Sequence, residues 1–180
     1  AEVPPNGFWA ELTVPLAWQH TDPDAASRHY DYHYYMGFWQ QVYKVIDQKA
    51  DDKGRVWYRV ADDPDIEPKR RAWMLARSLR RLKAEDFAPI SPDVADKRVK
   101  IDLDKQILSC YEGNSLVFQT RIASGTSIVG DDGTLYDFST PYGEYHVERK
   151  RPARRMRGGS GPTEYDVNAV PWITYFVGTG

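Results

Sequence analysis

The stretch Arg98-Val-Lys-Ile-Asp-Leu-Asp-Lys-Gln-Ile-Leu-Ser-Cys-Tyr-Glu-Gly113 opens the second half of the chain and decides how that half folds. Val99, Ile101 and Leu103 alternate with charged residues, which is the period of a half-buried strand. The cluster Glu112-Gly-Asn-Ser115 separates two apolar runs and predicts a hairpin. Further glycines divide the remainder into short pieces, so we expect a mainly β fold of short strands.

Three short motifs follow one another within this half. They are Lys105-Gln-Ile-Leu108, Ala123-Ser-Gly125 and Thr140-Pro-Tyr-Gly-Glu-Tyr145. An apolar run, Pro171-Trp-Ile-Thr-Tyr-Phe176, comes last. Each motif alone is common, but in this order and spacing they extend over about half of the chain. Together they resemble the opening of an L,D-transpeptidase catalytic domain of the YkuD type.

The resemblance implies a peptidoglycan L,D-transpeptidase. Such an enzyme takes the acyl group of a tetrapeptide stem onto a cysteine and passes it to an amine of a neighbouring stem. It implies a transferase that is exported to the cell envelope, acts in cell-wall biogenesis and cell shape, and needs no metal or organic cofactor. The family carries its catalysis on a later histidine and a Ser-His-Gly-Cys segment, and neither occurs before Gly180. We therefore expect no catalytic residue here and an inactive isolated chain, with the nucleophile on a continuation or on a second polypeptide.

The family pattern also implies where substrate would bind, because the last apolar run leads towards the active site. The residues expected to border the substrate are Met156, Trp172, Tyr175, Gly178 and Thr179. Residues 172–177 contain only one polar side chain, Thr174, and so predict a strand that is buried on both faces.

Several short strands joined by turns also fill the first half, which predicts a small barrel. Its end contains Val56-Trp-Tyr-Arg-Val60, a turn and Ala72-Trp-Met-Leu75. This end is similar to that of bacterial Src-homology-3-like wall-targeting domains, in which a short helical turn follows. The predicted organisation is a flexible arm (1–7), a small barrel (8–84), a linker (85–95) and an incomplete L,D-transpeptidase-like β domain (96–180).

The single cysteine, Cys110, permits an alternative function. A cysteine nucleophile needs a base, and His146 is the only histidine in the second half, so a hydrolase that uses this pair is conceivable. Leu108 and Cys110, however, share one strand face, and unpaired cysteines are commonly buried. We therefore expect Cys110 to be buried and unreactive. A further alternative is a non-catalytic protein that binds peptidoglycan stem peptides.

Two other segments carry unusual side chains. Residues 148–159 contain six cationic side chains, typical of a solvated loop, of a loop beside a substrate cleft, or of a nucleic-acid contact. The net charge of −2 and the lack of interleaved aromatics disfavour nucleic acid. Residues 29–35, with His29, Asp31 and His33, are a candidate aromatic or metal-binding surface. No stretch is apolar for long enough to predict a membrane span.

Overall fold

The computed structural model describes residues 2–27, 36–61, 71–159, 161 and 164–177. Strands make up 52% of the described residues and helices 5%, so the predicted mainly β class is confirmed. The chain divides into two compact units, one formed by Ala1–Lys83 with Tyr145–Gly180 and the other by Ala84–Glu144.

Short strands follow one another along the whole chain, as the glycine and turn signals predict. The strands are β1 Phe8–Leu12, β2 Leu16–Trp18, β3 Met36–Phe38, β4 Val42–Ala50, β5 Val56–Ala61, β6 Arg71–Leu75, β7 Leu79–Arg81, β8 Lys97–Asp102, β9 Ile107–Glu112, β10 Ser115–Arg121, β11 Ser127–Val129, β12 Leu135–Asp137, β13 Arg149–Gly158 and β14 Tyr165–Tyr175. A 3-10 turn, Ala76–Ser78, separates β6 from β7, and a short helix, α1 Ala84–Phe87, follows β7.

The first unit is built on an antiparallel sheet of five strands in the order β6-β5-β4-β1-β7. In β1 the residues Phe8, Ala10 and Leu12 are buried, while Trp9 and Glu11 are partly exposed. This alternation gives the sheet one apolar face. The core on that face also contains Tyr43, Val45, Val60, Ala72 and Met74.

The described strands of this sheet do not close into the predicted barrel. The chain passes from the edge strand β6 to the opposite edge strand β7 through Ala76–Ser78. On the outer side of β6, Trp73 exchanges backbone hydrogen bonds with His20, at 2.8 and 2.9 Å. Since those groups of β6 are already paired, they are not available to a ladder with β7, and the loop at His20 covers the edge.

A two-stranded sheet of β13 and β14 also belongs to the first unit, whereas the prediction places it with residues 96–180. Ala153 of β13 is buried against Val42 and Leu82. The side chain of Gln41 donates a hydrogen bond to the backbone oxygen of Asn168 in β14 at 2.8 Å. Ala169 is fully buried in the core of the five-stranded sheet. These contacts account for the grouping of the hairpin with the N-terminal half.

Two predictions about this hairpin are wrong. The basic segment forms the strand β13 instead of a loop, because it pairs along most of its length with β14. Residues 172–177 are not buried on both faces, since Trp172 is 45% exposed and Thr174 is exposed. The regular strand alternation is interrupted in β14 by positive φ angles at Ala169 (48°) and Trp172 (54°).

The second unit contains a three-stranded antiparallel sheet, in the order β10-β9-β8, and the two-stranded β11-β12 hairpin. The predicted turn between β9 and β10 is present, with Gly113 at φ 57°, a conformation that glycine adopts without steric cost.

The segments predicted as arm and linker both contain local structure. Val3 packs against the core of the first unit, and the Gly7 amide donates to the Pro4 oxygen at 2.7 Å. The helix α1 lies at the start of the predicted linker and within the second unit.

Candidate functional site

Three of the five predicted substrate-binding residues lie on the β13–β14 hairpin. Met156 is opposite Val167 and is 42% exposed, and Trp172 is 45% exposed. Tyr175 ends β14 opposite Arg149. The other two, Gly178 and Thr179, lie outside the described residues.

Tyr175 is contacted by two arginines of β13. The guanidinium carbon of Arg149 lies 4.1 Å from the centre of its ring, and that of Arg154 lies 5.4 Å from the same point. Arg154 also donates a hydrogen bond from Nη1 to the Tyr175 hydroxyl at 2.6 Å. Two cations therefore share one aromatic ring, which attracts both through its quadrupole.

The cations of β13 differ in how their charge is balanced. Arg155 is 3% exposed and forms two parallel hydrogen bonds to Asp166, Nε to Oδ1 at 2.7 Å and Nη2 to Oδ2 at 2.6 Å. Among the described residues, Arg149, Lys150 and Arg154 form no ion pair. Arg155 therefore holds the hairpin together, while other cations of the strand keep uncompensated charge.

Sequence reasoning missed the Arg155–Asp166 pair. The two strands change register between Arg154 and Met156, and this irregularity lies at Arg155. Counting alternate positions therefore does not predict which arginine of the basic segment is buried. An acidic residue in the facing strand was the only available signal.

The three sequence motifs of the second half meet in the second unit. Gln106, from the first motif, accepts a hydrogen bond from the Ser124 amide at 2.7 Å and donates one to the Ser124 hydroxyl at 2.7 Å. The Gly125 amide donates to the hydroxyl of Thr140 at 3.0 Å. Residues from three separate segments thus form one continuous hydrogen-bonded cluster, which we call the motif cluster.

The motif cluster borders an open cleft of about 440 Å³ whose lining includes Leu103, Gln106, Thr140 and Tyr142. Gly125 also lines it, and a Cβ atom at this glycine would lie 1.8 Å from the backbone oxygen of Phe138. Only glycine allows the two backbone segments to approach this closely.

The carboxylate of Asp137 accepts a hydrogen bond from the amide of Ser139, a residue that lines this cleft. Hydrogen bonds from the side chain and the backbone of Ser139, and then from the Ser127 hydroxyl, lower the pKa of Asp137 below its ordinary value. These donors favour the ionised form. Asp137 is therefore a hydrogen-bond acceptor at neutral pH and is not suited to act as a general acid.

Cys110 does not have the environment that was predicted for it. It lies on β9 between Val99 of β8 and Phe118 of β10, and it is half-buried instead of buried. Val99 is 60% and Phe118 55% exposed, so this face of the sheet is open, and the buried residue of β9 is Ser109. Neither strand neighbour is a base. His146, the other member of the hypothetical pair, belongs to the first unit, just before β13.

Four large apolar side chains, three of them aromatic, are exposed on or beside the paired strands β2 and β3 of the first unit. In the β2–β3 hairpin Leu16 pairs with Phe38, and these side chains are 42% and 44% exposed. Trp18 is 45% exposed, and Trp39, directly after β3, is 62% exposed. We call these four side chains the hairpin patch. Sequence reasoning did not single it out, because it comes from two segments that are far apart.

The described parts of the chain contain neither a candidate metal site nor a helix that could cross a membrane. There, no group of three or more His, Cys, Asp or Glu side chains is placed to hold a metal ion. The candidate surface at residues 29–35 lies outside the described residues. Likewise, no helix within the described ranges has the length and apolar character needed to cross a membrane.

Comparison with known proteins adds no relative. The chain matches no protein-family model, and no curated protein or solved structure is significantly similar to it. Any functional interpretation therefore depends on the motifs and on the geometry described above.

Proposed function

We propose that this chain is the wall-recognising part of a peptidoglycan L,D-transpeptidase of the YkuD type. The observation that carries the proposal is the motif cluster. Gln106, Ser124 and Thr140 come from three motifs that were chosen for their order in the sequence, and these motifs are joined by hydrogen bonds. These contacts support the interpretation that the three motifs belong together.

The reaction proposed for the parent protein is acyl transfer between stem peptides. A thiolate attacks a carbonyl of the donor stem, and the amide bond breaks as the leaving amine takes up a proton and departs. The resulting thioester then passes its acyl group to an amine of the acceptor stem, which loses a proton, and the thiol is freed. The cysteine that performs this attack is proposed to lie outside the present sequence, on a later segment or on a second polypeptide. The proposed contribution of this chain, as an exported protein of the cell envelope, is to hold the peptidoglycan stems.

Two features of the first unit support an anchoring role. The 3-10 turn Ala76–Ser78 directly follows the strand that contains Trp73, as in the wall-targeting domains that the sequence resembles. The hairpin patch presents two exposed tryptophans, Trp18 and Trp39. Exposed aromatic rings provide large, rigid contact areas for sugars and peptides.

Co-sedimentation with purified peptidoglycan sacculi tests the proposal. We expect the chain to pellet with the sacculi, and the double variant Trp18→Ala/Trp39→Ala to bind about ten-fold more weakly, since exposed aromatics dominate such contacts. Ile90→Ala is the matched control, because Ile90 is a fully exposed apolar residue outside the patch. A chain that stays in the supernatant would show that the proposed function is wrong.

A further inference from the structure

Arg149, Arg154 and Tyr175 form an arrangement that the fold of the hairpin does not require. Arg155 and Asp166 already link β13 to β14 by two charge-assisted hydrogen bonds. Arg149 and Arg154 instead converge on the ring of Tyr175, at 4.1 and 5.4 Å from its centre. Arg149 is exposed, and Arg154 and Tyr175 are half-buried, so the group is open to solvent on one side.

The charge of this group is unbalanced. Two guanidinium groups that share one ring repel each other, and the aromatic quadrupole compensates for only part of that repulsion. In the described part of the chain neither arginine has a carboxylate partner. An anion bound beside these guanidinium groups would reduce the repulsion.

The geometry of the donors indicates which anion fits. A guanidinium group presents a planar fork of N–H donors that matches the two oxygens of a carboxylate. The Tyr175 hydroxyl accepts a hydrogen bond from Arg154 at 2.6 Å, so its own proton is available to a further acceptor. The contacts with the ring and the hydroxyl also hold the arginine side chains in place before the ligand arrives, which reduces the entropy lost on binding.

We propose that Arg149, Arg154 and Tyr175 form a carboxylate-binding site that holds a free carboxylate of a peptidoglycan stem peptide. This inference rests on the proposed function and specifies the group of the stem that the chain recognises. Recognition depends on charge, so amidation of the stem carboxylates weakens it, and added salt weakens it too.

Two soluble ligands isolate the carboxylate: a disaccharide tetrapeptide with free carboxylates, and the same muropeptide with those carboxylates amidated. Calorimetric titration of the full chain is expected to give at least about ten-fold tighter binding of the free form, as the loss of a charge-assisted pair predicts. Arg149→Gln and Arg154→Gln should each reduce affinity for the free form about ten-fold and leave the amidated form unchanged. Tyr175→Phe should give a smaller loss, because it keeps the ring.

Arg157→Gln is the matched control, because Arg157 is an exposed cation of the same strand with no contact to Tyr175. Its affinity for both ligands should equal that of the wild type. Thermal unfolding of each variant identifies any that misfold. If Arg154→Gln unfolds, the exposed Arg149→Gln still decides the question, because its side chain has no packing role in the core.

The outcomes separate this inference from the proposed function. Equal affinity for the free and amidated muropeptides, from a chain that pellets with sacculi, would overturn the carboxylate site and leave wall recognition intact. Binding of the free muropeptide that depends on Arg149, by a chain that fails to pellet with sacculi, would support the site and overturn wall recognition. An Arg157→Gln variant as weak as Arg149→Gln would also overturn the site, because it would indicate general charge attraction.

Discussion

At the scale of single residues, Asp51 shows how one carboxylate organises a turn. Its Oδ1 accepts hydrogen bonds from the amides of Lys53 (3.0 Å) and Arg55 (2.9 Å). Its Oδ2 accepts from Arg55 Nε at 2.6 Å and from Trp57 Nε1 at 2.9 Å. Gly54, at φ 73°, completes the turn between β4 and β5. Asp51 thereby links the buried side chain of Trp57, in β5, to the turn that precedes this strand.

The pKa of Asp51 makes this turn sensitive to acid. Desolvation raises the pKa, but hydrogen bonds from Trp57, Arg55 and Lys53 outweigh it and lower the pKa from 3.8 to about 2. The folded pKa lies below the unfolded one, so the stabilisation is complete above about pH 4 and is lost as the pH falls towards about 2. We expect Asp51→Ala to lower the free energy of unfolding strongly near neutral pH and much less near pH 2.

Denaturant unfolding of the wild type and of Asp51→Ala across this pH range measures the difference. Asp52→Ala is the control, since Asp52 is exposed and accepts none of these hydrogen bonds. A difference between the wild type and Asp51→Ala that stays constant from neutral to acidic pH would contradict the explanation.

At the scale of elements, local patterns were predictable from the sequence and distant pairings were not. The β9–β10 hairpin was predicted because a turn cluster and two apolar runs are adjacent in the chain. The contact of Gln41 with Asn168 joins residues 127 positions apart, and no local pattern indicates it. The same limit explains why a basic run was predicted as a loop, since its pairing with β14 and the burial of Ala153 depend on tertiary contacts.

The Arg155–Asp166 pair is expected to decide the stability of the β13–β14 hairpin. Arg155 is 3% and Asp166 16% exposed, so Asp166→Ala removes two charge-assisted hydrogen bonds from a buried cation. This change should lower the free energy of unfolding by about 3–5 kcal/mol. The double variant Arg155→Met/Asp166→Leu should cost less, because it buries no unpaired charge.

Chemical denaturation measures both changes, with Arg80→Ala as the control. Arg80 pairs with Glu11 at 2.9 Å, but its side chain is 46% exposed, so its loss should cost less than about 1 kcal/mol. If Asp166→Ala were no more damaging than Arg80→Ala, the buried pair would not be the link between the strands.

The motif cluster gives a second prediction at this scale. Gln106→Ala removes the acceptor of the Ser124 amide and the donor to the Ser124 hydroxyl, and should destabilise the second unit by about 1–3 kcal/mol. Hydrogen exchange at the Ser124 amide should become faster. Gln119→Ala is the control, since the side chain of the exposed Gln119 donates one hydrogen bond, to Ser109 Oγ at 2.9 Å, and does not contact Ser124. Unchanged exchange at Ser124 in the Gln106 variant would contradict the proposed role of the motif.

At the scale of the whole molecule, the division into two units differs from what a linear reading of the chain predicts. Residues 145–180 belong with the N-terminal half, so the second unit is an insertion between two segments of the first. A sequence-based division assigns neighbouring residues to the same domain and does not predict such an insertion. The predicted site residues Met156, Trp172 and Tyr175 consequently belong to the unit with the hairpin patch, and the motif cluster belongs to the other.

Reactivity of the complete chain towards a carbapenem distinguishes the proposed function from the hydrolase alternative. A carbapenem acylates the nucleophilic cysteine of the resembled family, and Cys110 is the only thiol here. Cys110 lies between Val99 and Phe118, which provide neither a base nor a cation to form the thiolate. We therefore expect intact-mass measurement to detect no carbapenem adduct on the folded chain.

Iodoacetamide in denaturant is the control, since it should add one label to the thiol of Cys110. A stoichiometric carbapenem adduct that disappears in Cys110→Ser would make Cys110 the nucleophile and would remove the need for a cysteine outside this sequence.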